Sequence, residues 1–277
     1  MIDIHELASV ASPAERARQA GGLIDAHQAS ILELSRMRRE ALEEMLSAGM
    51  TQVQIAGLIG MTRARVGQLL SSGPRPERIF LGTGEITVAL GGKREAEKPK
   101  LAVSAEMLAG YELISELARS LNLKTQSEVV PPPGMVNLNR PNLIVIGSPR
   151  ILPFVGQVLE ADESLGFESD ENGWYLVDRV AGTEYRSPVN SGDPADYAYV
   201  GRLPRPDGRG TFLYLAGIHG PGTLGAANFL AGRLEALYRD VKTRRFSLLV
   251  KSVVDPGTGR LESVDQVTPL YKHEGVS

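Results

Sequence analysis

The sequence predicts an N-terminal all-α helix-turn-helix domain followed by an α/β domain with a mostly parallel, doubly wound sheet. Three observations carry this. Residues 51–70, TQVQIAGLIGMTRARVGQLL, have the apolar and turn spacing of two short packed helices. Residues 143–160 and 212–240 each read strand, glycine loop, helix. Between these regions, residues 91–100 are charged and proline-ended, the texture of a linker. The expected organisation is a helical domain over 1–78, a hairpin and linker over 79–100, and the α/β domain over 101–277.

A chain of 277 residues can hold two modest cores. Its formal net charge is −3, unusual for a protein whose sole task is to coat nucleic acid. The charge is uneven, however. Arg36 to Arg78 hold seven arginines against four glutamates, a local surplus of +3, so the remainder carries −6. A basic head on an acidic body fits a regulator whose second domain does something other than touch DNA. The absence of cysteine excludes disulfides and thiolate metal sites, and four histidines make a poor start for a transition-metal centre, so no metal is expected. There is no apolar run of about 18 residues and no charged-then-apolar leader, so the expectation is a soluble, cytoplasmic protein with no membrane partner.

From Pro13 the chain reads as helical, with Leu23, Ile24, Ile31, Leu34, Leu42, Met45 and Leu46 at mostly helical intervals. Gly21 and Gly22 are expected to divide it into two helices, and Gly49 to close the second. The second helix is longer than a two-helix motif needs, which points to a homodimer contact or to docking on the body. Within residues 51–70, Ala56 is small where two helices would cross, Gly60 falls where the turn needs a positive φ, and Val66 packs the second helix back. Ile55, Ile59 and Leu69 are expected on the inner face, and Thr62 as the N-cap of the second helix. The residues left facing outward are Arg63, Arg65 and Gln68, side chains suited to guanine, phosphate and adenine contacts.

At these residues the stretch resembles the C-terminal helix-turn-helix of the sigma-70 family, over about Arg39 to Gly73. That resemblance implies double-stranded DNA as a partner, approached by Thr62, Arg63, Arg65 and Gln68. The alternative is two short helices that merely pack within a larger helical domain.

Beyond the motif, Pro74 and Pro76 end helical structure, and Ile79–Leu81 with Ile86–Leu90 read as a small hairpin around Gly82 to Gly84. It is either a wing beside the DNA or the first strands of the next domain. Ser104 is positioned to cap a helix to about Asn122. Leu143–Ile146 is a continuous apolar strand, expected to be central, with a turn at Gly147 and a helix from about Ile151 to Glu160. Strands follow at Trp174–Asp178, Glu184–Ser187 and Asp196–Arg202; Trp174 and Tyr175 read as packing residues. Phe212–Ala216 is a second interior strand, its helix running from Leu224 to about Asp240. Phe246–Val253 and a polar edge strand end the pattern.

In an open α/β sheet, ligands bind where loops leave the carboxyl ends of the strands and helix N-termini present free N–H groups. Both glycine loops fall at that edge. The first, Gly147-Ser148-Pro149-Arg150, offers a hydroxyl and a guanidinium. The second, Ala216 to Asn228, has Gly220, Gly222 and Gly225 for close backbone approach to a phosphate and the Thr223 hydroxyl, while Arg202, Arg205 and Arg209 are placed to close over an anion. Alternatively the glycines serve only close strand-to-helix packing. His219 is either a general base or phosphate ligand or an ordinary loop residue. Asp178, Glu184 and Asp196 are further carboxylates with partners that spacing does not define.

The second loop is similar to the PGGxGTxxE loop of the LOG family of nucleotide-processing α/β proteins. Gly220, Gly222 and Thr223 match, and Ala226 stands at the family's catalytic glutamate. The resemblance implies a phosphate cradle without the carboxylate chemistry.

Together these readings predict a DNA-binding transcriptional regulator, a homodimer, whose α/β domain senses a small phosphate-bearing or nucleotide-like ligand. No cofactor is required and no catalytic residue is assigned. The alternatives are a nucleotide- or glycoside-processing enzyme with a targeting module, and a protein-interaction scaffold.

Overall fold

A computed structural model describes residues 7–72, 75, 77–95 and 98–273. The chain divides between residues 76 and 77 into two compact units.

The first unit is helical. Helix α1 spans Pro13–Ser47, opened by Ser12, whose hydroxyl accepts the Glu15 N–H. It runs unbroken through Gly21 and Gly22, contrary to the two helices expected. Each glycine costs about 1 kcal/mol relative to alanine, too little to interrupt a helix that propagates cooperatively on both sides. Arg36 pairs with Glu33 and Glu40, and Arg39 with Glu43, each one turn apart. Gly49, at φ +89°, takes the left-handed conformation just past the end.

Helix α2 (Gln52–Leu58) begins in a reciprocal capping box. The Thr51 hydroxyl accepts the Gln54 N–H at 3.3 Å, and the Gln54 side chain accepts the Thr51 N–H at 2.9 Å. Gly60 makes the turn at φ +67°, a region costly for residues with a Cβ. Helix α3 (Arg63–Ser72) starts on Thr62, whose hydroxyl accepts the Arg65 N–H at 3.1 Å. Leu42 of α1, Ile55 and Ala56 of α2, and Val66 and Leu69 of α3 form one core. Ile59, expected inside, is 36% exposed: it lies at the C-cap of α2, beyond the seam.

The second unit starts earlier than expected. Residues 78–81 form a short helix, α4 (Arg78–Leu81), not a hairpin strand, and Phe80 from it packs on Phe246 at 5.6 Å. Strand β1 (Ile86–Gly91) is a buried inner strand of the sheet, and the expected linker is an antiparallel hairpin, β2 (Lys93–Glu95) with β3 (Lys98–Ala102). There follow α5 (Ala105–Ser120), β4 (Thr125–Val130), β5 (Leu143–Ile146), α6 (Pro153–Leu159), β6 (Leu165–Asp170), β7 (Gly173–Asp178), β8 (Thr183–Arg186), β9 (Ala195–Pro204), β10 (Thr211–Gly217), α7 (Gly220–Val241), β11 (Arg245–Val254), β12 (Leu261–Gln266) and β13 (Tyr271–His273).

The large sheet has the order β12-β11-β9-β10-β5-β1-β4, with β13 also on β11. It is mixed rather than mostly parallel. β4, β1, β5 and β10 run parallel, whereas β9, β11, β12 and β13 pair antiparallel. A short turn from β9 to β10, closed by the Arg205 N–H on the Gly210 carbonyl at 2.9 Å, forces antiparallel pairing there. An interior strand is apolar on both faces whatever its direction, so composition does not reveal that reversal.

Side chains alternate across the sheet. Ile86, Val88, Leu90, Ile144, Ile146, Leu213 and Leu215 share a core with α5 and α7. Ala89, Leu143, Val145, Phe212, Tyr214 and Ala216 share one with α6 and the small β6-β7-β8 sheet. From β1 the chain passes through α5 to β4 on one side, and β5 then pairs on the other. The strand order therefore reverses between β1 and β5, and a crevice is expected at their carboxyl ends.

Candidate functional site

A cavity of about 150 Å³ opens at that place. Ser148, Arg150, His219, Gly220 and Thr223 line it together, so the two glycine loops meet in one chamber. Gly147 does not line it but makes it possible. Its φ of +146° turns the chain off β5, and a Cβ there would stand 3.1 Å from Leu152. Ser148 follows, 7% exposed, its carbonyl accepting the N–H groups of Ile151 and Leu152. Its hydroxyl has no hydrogen-bond partner among the described residues, and the residue borders the cavity.

At the end of β10, α7 starts close over the strand: a Cβ on Gly217 would lie 2.2 Å from the Thr223 nitrogen. The Thr223 hydroxyl accepts the Gly217 N–H at 3.2 Å and donates to the His219 carbonyl at 3.0 Å, so it ties the loop shut. Asp196, fully buried on β9, reaches the start of α7. Its Oδ2 accepts the N–H of His219 at 2.8 Å and of Gly222 at 2.9 Å. The helix N-terminus, with its partial positive charge, thus already has an internal counter-ion. Burial pushes the Asp196 carboxyl above its ordinary value, against hydrogen bonds that include those two N–H groups. The His219 ring contacts the Asn190 side-chain oxygen at 2.9 Å.

Gly222, expected to approach a phosphate, is instead buried against Asp196 and the Tyr197 carbonyl, and does not line this cavity. Gly225 packs on Ser252. Arg202 also departs from expectation. It is buried in β9, its guanidinium 4.6 Å from the centre of the Phe80 ring and donating to the Phe80 carbonyl. Burial, with no carboxylate partner among the described residues, lowers its pKa to about 10. Arg205 pairs with Asp207 in the β9–β10 turn, and neither it nor Arg209 borders the cavity.

Three lining residues with polar side chains had not been singled out as site residues. Lys93 comes from the β2–β3 hairpin that resembled a linker, and Ser104 and Glu106 from the start of α5. Ser104 caps that helix, accepting the Met107 N–H at 3.3 Å. Glu106 stands over Gly220, where a Cβ would come within 2.7 Å of its carboxyl carbon. Ala226 is fully buried, so a carboxylate reaches this loop from α5 and none from α7. A more open groove of about 530 Å³ adjoins the chamber, lined by Pro132, Pro133, Pro153 and Arg94 and sharing Lys93, Arg150 and Ile151 with it.

In the first unit, Thr62, Arg63, Arg65 and Gln68 are all exposed along α3, while Val66 and Leu69 of the same helix are buried. The Arg65 guanidinium donates to the Gln68 side-chain oxygen at 2.7 Å. Among the described residues no helix is long and apolar enough to cross a membrane. Compared with known proteins, the chain matches no protein family, no curated protein and no solved structure.

Proposed function

We propose that the protein is a DNA-binding transcriptional regulator whose α/β unit senses a small anionic, nucleotide-like ligand. The observation that carries the sensing half is the convergence of Ser148, Arg150, His219 and Gly220 on one cavity where the strand order reverses. Support for the DNA half comes from α3, with an exposed row of Thr62, Arg63, Arg65 and Gln68 opposite a packed row. A homodimer completes the reading, because two recognition helices about 34 Å apart match successive half-sites on one face of a duplex. The exposed Ile24, Ile31 and Leu34 of α1 supply apolar surface for such pairing.

The test is an electrophoretic shift on a randomised duplex pool. Arg63→Ala and Arg65→Ala should each weaken binding by about fivefold or more and lower the salt slope by roughly one. Undiminished, equally salt-dependent binding would sink the assignment of those side chains.

A second reading, nucleotide or glycoside hydrolysis, draws on one observation: Glu106 and His219 border the same chamber as Ser148. A product released on incubation with nucleotides, and lost in Glu106→Gln, would favour it over sensing.

A further inference from the structure

The chamber and the groove differ in chemistry. The chamber is the smaller, about 150 Å³ against about 530 Å³ for the groove. Its polar lining residues are Glu106, Ser104, Ser148, Thr223 and His219, together with Lys93 and Arg150, which it shares with the groove. Glu106 has the wrong charge for a phosphate and the right acceptors for vicinal hydroxyls, the use to which acidic residues are put beside ribose in nucleotide folds. The helix start that would otherwise attract an anion is occupied by Asp196.

The cations stand at the mouth. Lys93 and Arg150 border both spaces and Arg94 borders the groove. All three are exposed, and none has a carboxylate partner among the described residues. Beyond them the groove is walled by Pro132, Pro133, Pro153 and Ile151, apolar faces against which a flat ring can lie. Its volume of about 530 Å³ falls within the ~300–1,000 Å³ of pockets that enclose whole small molecules. In order, the site offers a polyol-sized chamber, a cationic neck and an apolar slot.

Resting on the reading above that this cavity takes a nucleotide-like anion, we propose that the ligand is a nucleoside diphosphate sugar. The sugar occupies the chamber under Glu106 and Ser148, the diphosphate the neck at Lys93 and Arg150, and the nucleoside the proline-walled groove. A mononucleotide leaves one compartment empty. A dinucleotide would place a second nucleoside, base included, in a chamber sized for one ring.

Isothermal titration of the full chain decides this, using pyrophosphate, ADP, ADP-ribose and UDP-glucose as probes. At least one sugar-bearing probe should bind about tenfold or more tightly than ADP, the worth of about one hydrogen bond to a charged group. Glu106→Gln should erase that factor while leaving ADP affinity within about threefold. Ser148→Ala provides a second, smaller reduction should Glu106→Gln fold poorly. Arg150→Ala should weaken ADP and the sugar-bearing probes alike, by about tenfold. ADP binding as tightly as both sugar-bearing probes overturns the sugar assignment and leaves the anion site standing. Absence of binding by every probe, pyrophosphate included, overturns both.

Discussion

The buried Asp196 carboxylate accepts the backbone N–H of Gly222 at 2.9 Å, and so caps from outside a helix whose own N-cap residue, His219, gives no side-chain cap. Removing it leaves two N–H groups without partners. Asp196→Ala should destabilise the second unit by about 2 kcal/mol, read from urea denaturation.

The same residue predicts a pH dependence. Its carboxyl lies above the ordinary 3.8 in the folded state, so folding takes up a proton in the interval between the two values. Its contribution to stability is therefore fully present below about 3.8 and is lost as pH rises through the raised value. Asp196→Asn does not titrate. Urea midpoints from about pH 4 to about pH 7 should show wild type declining relative to Asp196→Asn, and parallel profiles would refute the shift.

Gly225→Ala tests what this glycine is for. Within a helix, glycine to alanine ordinarily gains roughly 0.5–1 kcal/mol. Here the added Cβ would stand 2.6 Å from the buried Ser252 Cβ, so the sign should reverse to a loss of about 1–3 kcal/mol, measured by thermal unfolding.

Arg202→Met separates core from site. Relief of a buried, unpaired cation offsets the lost hydrogen bond to the Phe80 carbonyl, so stability should stay within about 1 kcal/mol of wild type. Titrated ligand affinity should be unchanged, because Arg202 does not line the cavity.

In the first unit, Thr62→Ala removes the hydroxyl that accepts the Arg65 N–H. The loss should be about 1 kcal/mol, seen as roughly fivefold faster hydrogen exchange of amides in the first turn of α3.

What could be read from the sequence was local. Gly60 at φ +67°, Gly49 past the end of α1, the Thr62 cap, the interior strands β5 and β10 and the two glycine loops follow from near-neighbour chemistry. A backbone that needs a positive φ, or a helix start that needs a side-chain acceptor, shows it within a few residues. That Ser148, Arg150 and His219 lie at the sheet edge was accessible this way too, since each sits in a loop that follows a strand; that they border one cavity is a fact of the fold.

What only the tertiary structure decided depends on partners distant in sequence. Ile86–Leu90 was legible as a strand, but its place between β4 and β5 was not, because those partners lie 39 and 56 residues away in register, Ile86 on Thr125 and Thr87 on Leu143. Glu106 and Lys93 join the chamber because α5 and the β2–β3 hairpin return to the carboxyl edge of the sheet. Gly222 and Arg202 left the site for the same kind of reason: Asp196 and Phe80, far along the chain, supply their environments. The sequence by itself determined the caps and turns of the first unit, the interior strands β5 and β10 and the two loops at the sheet edge, but neither the continuity of α1 nor the helix α4. Which charges face the cavity, and which are spent inside the fold, was decided by packing, because burial is a property of what lies across the sheet and not of what lies next in the chain.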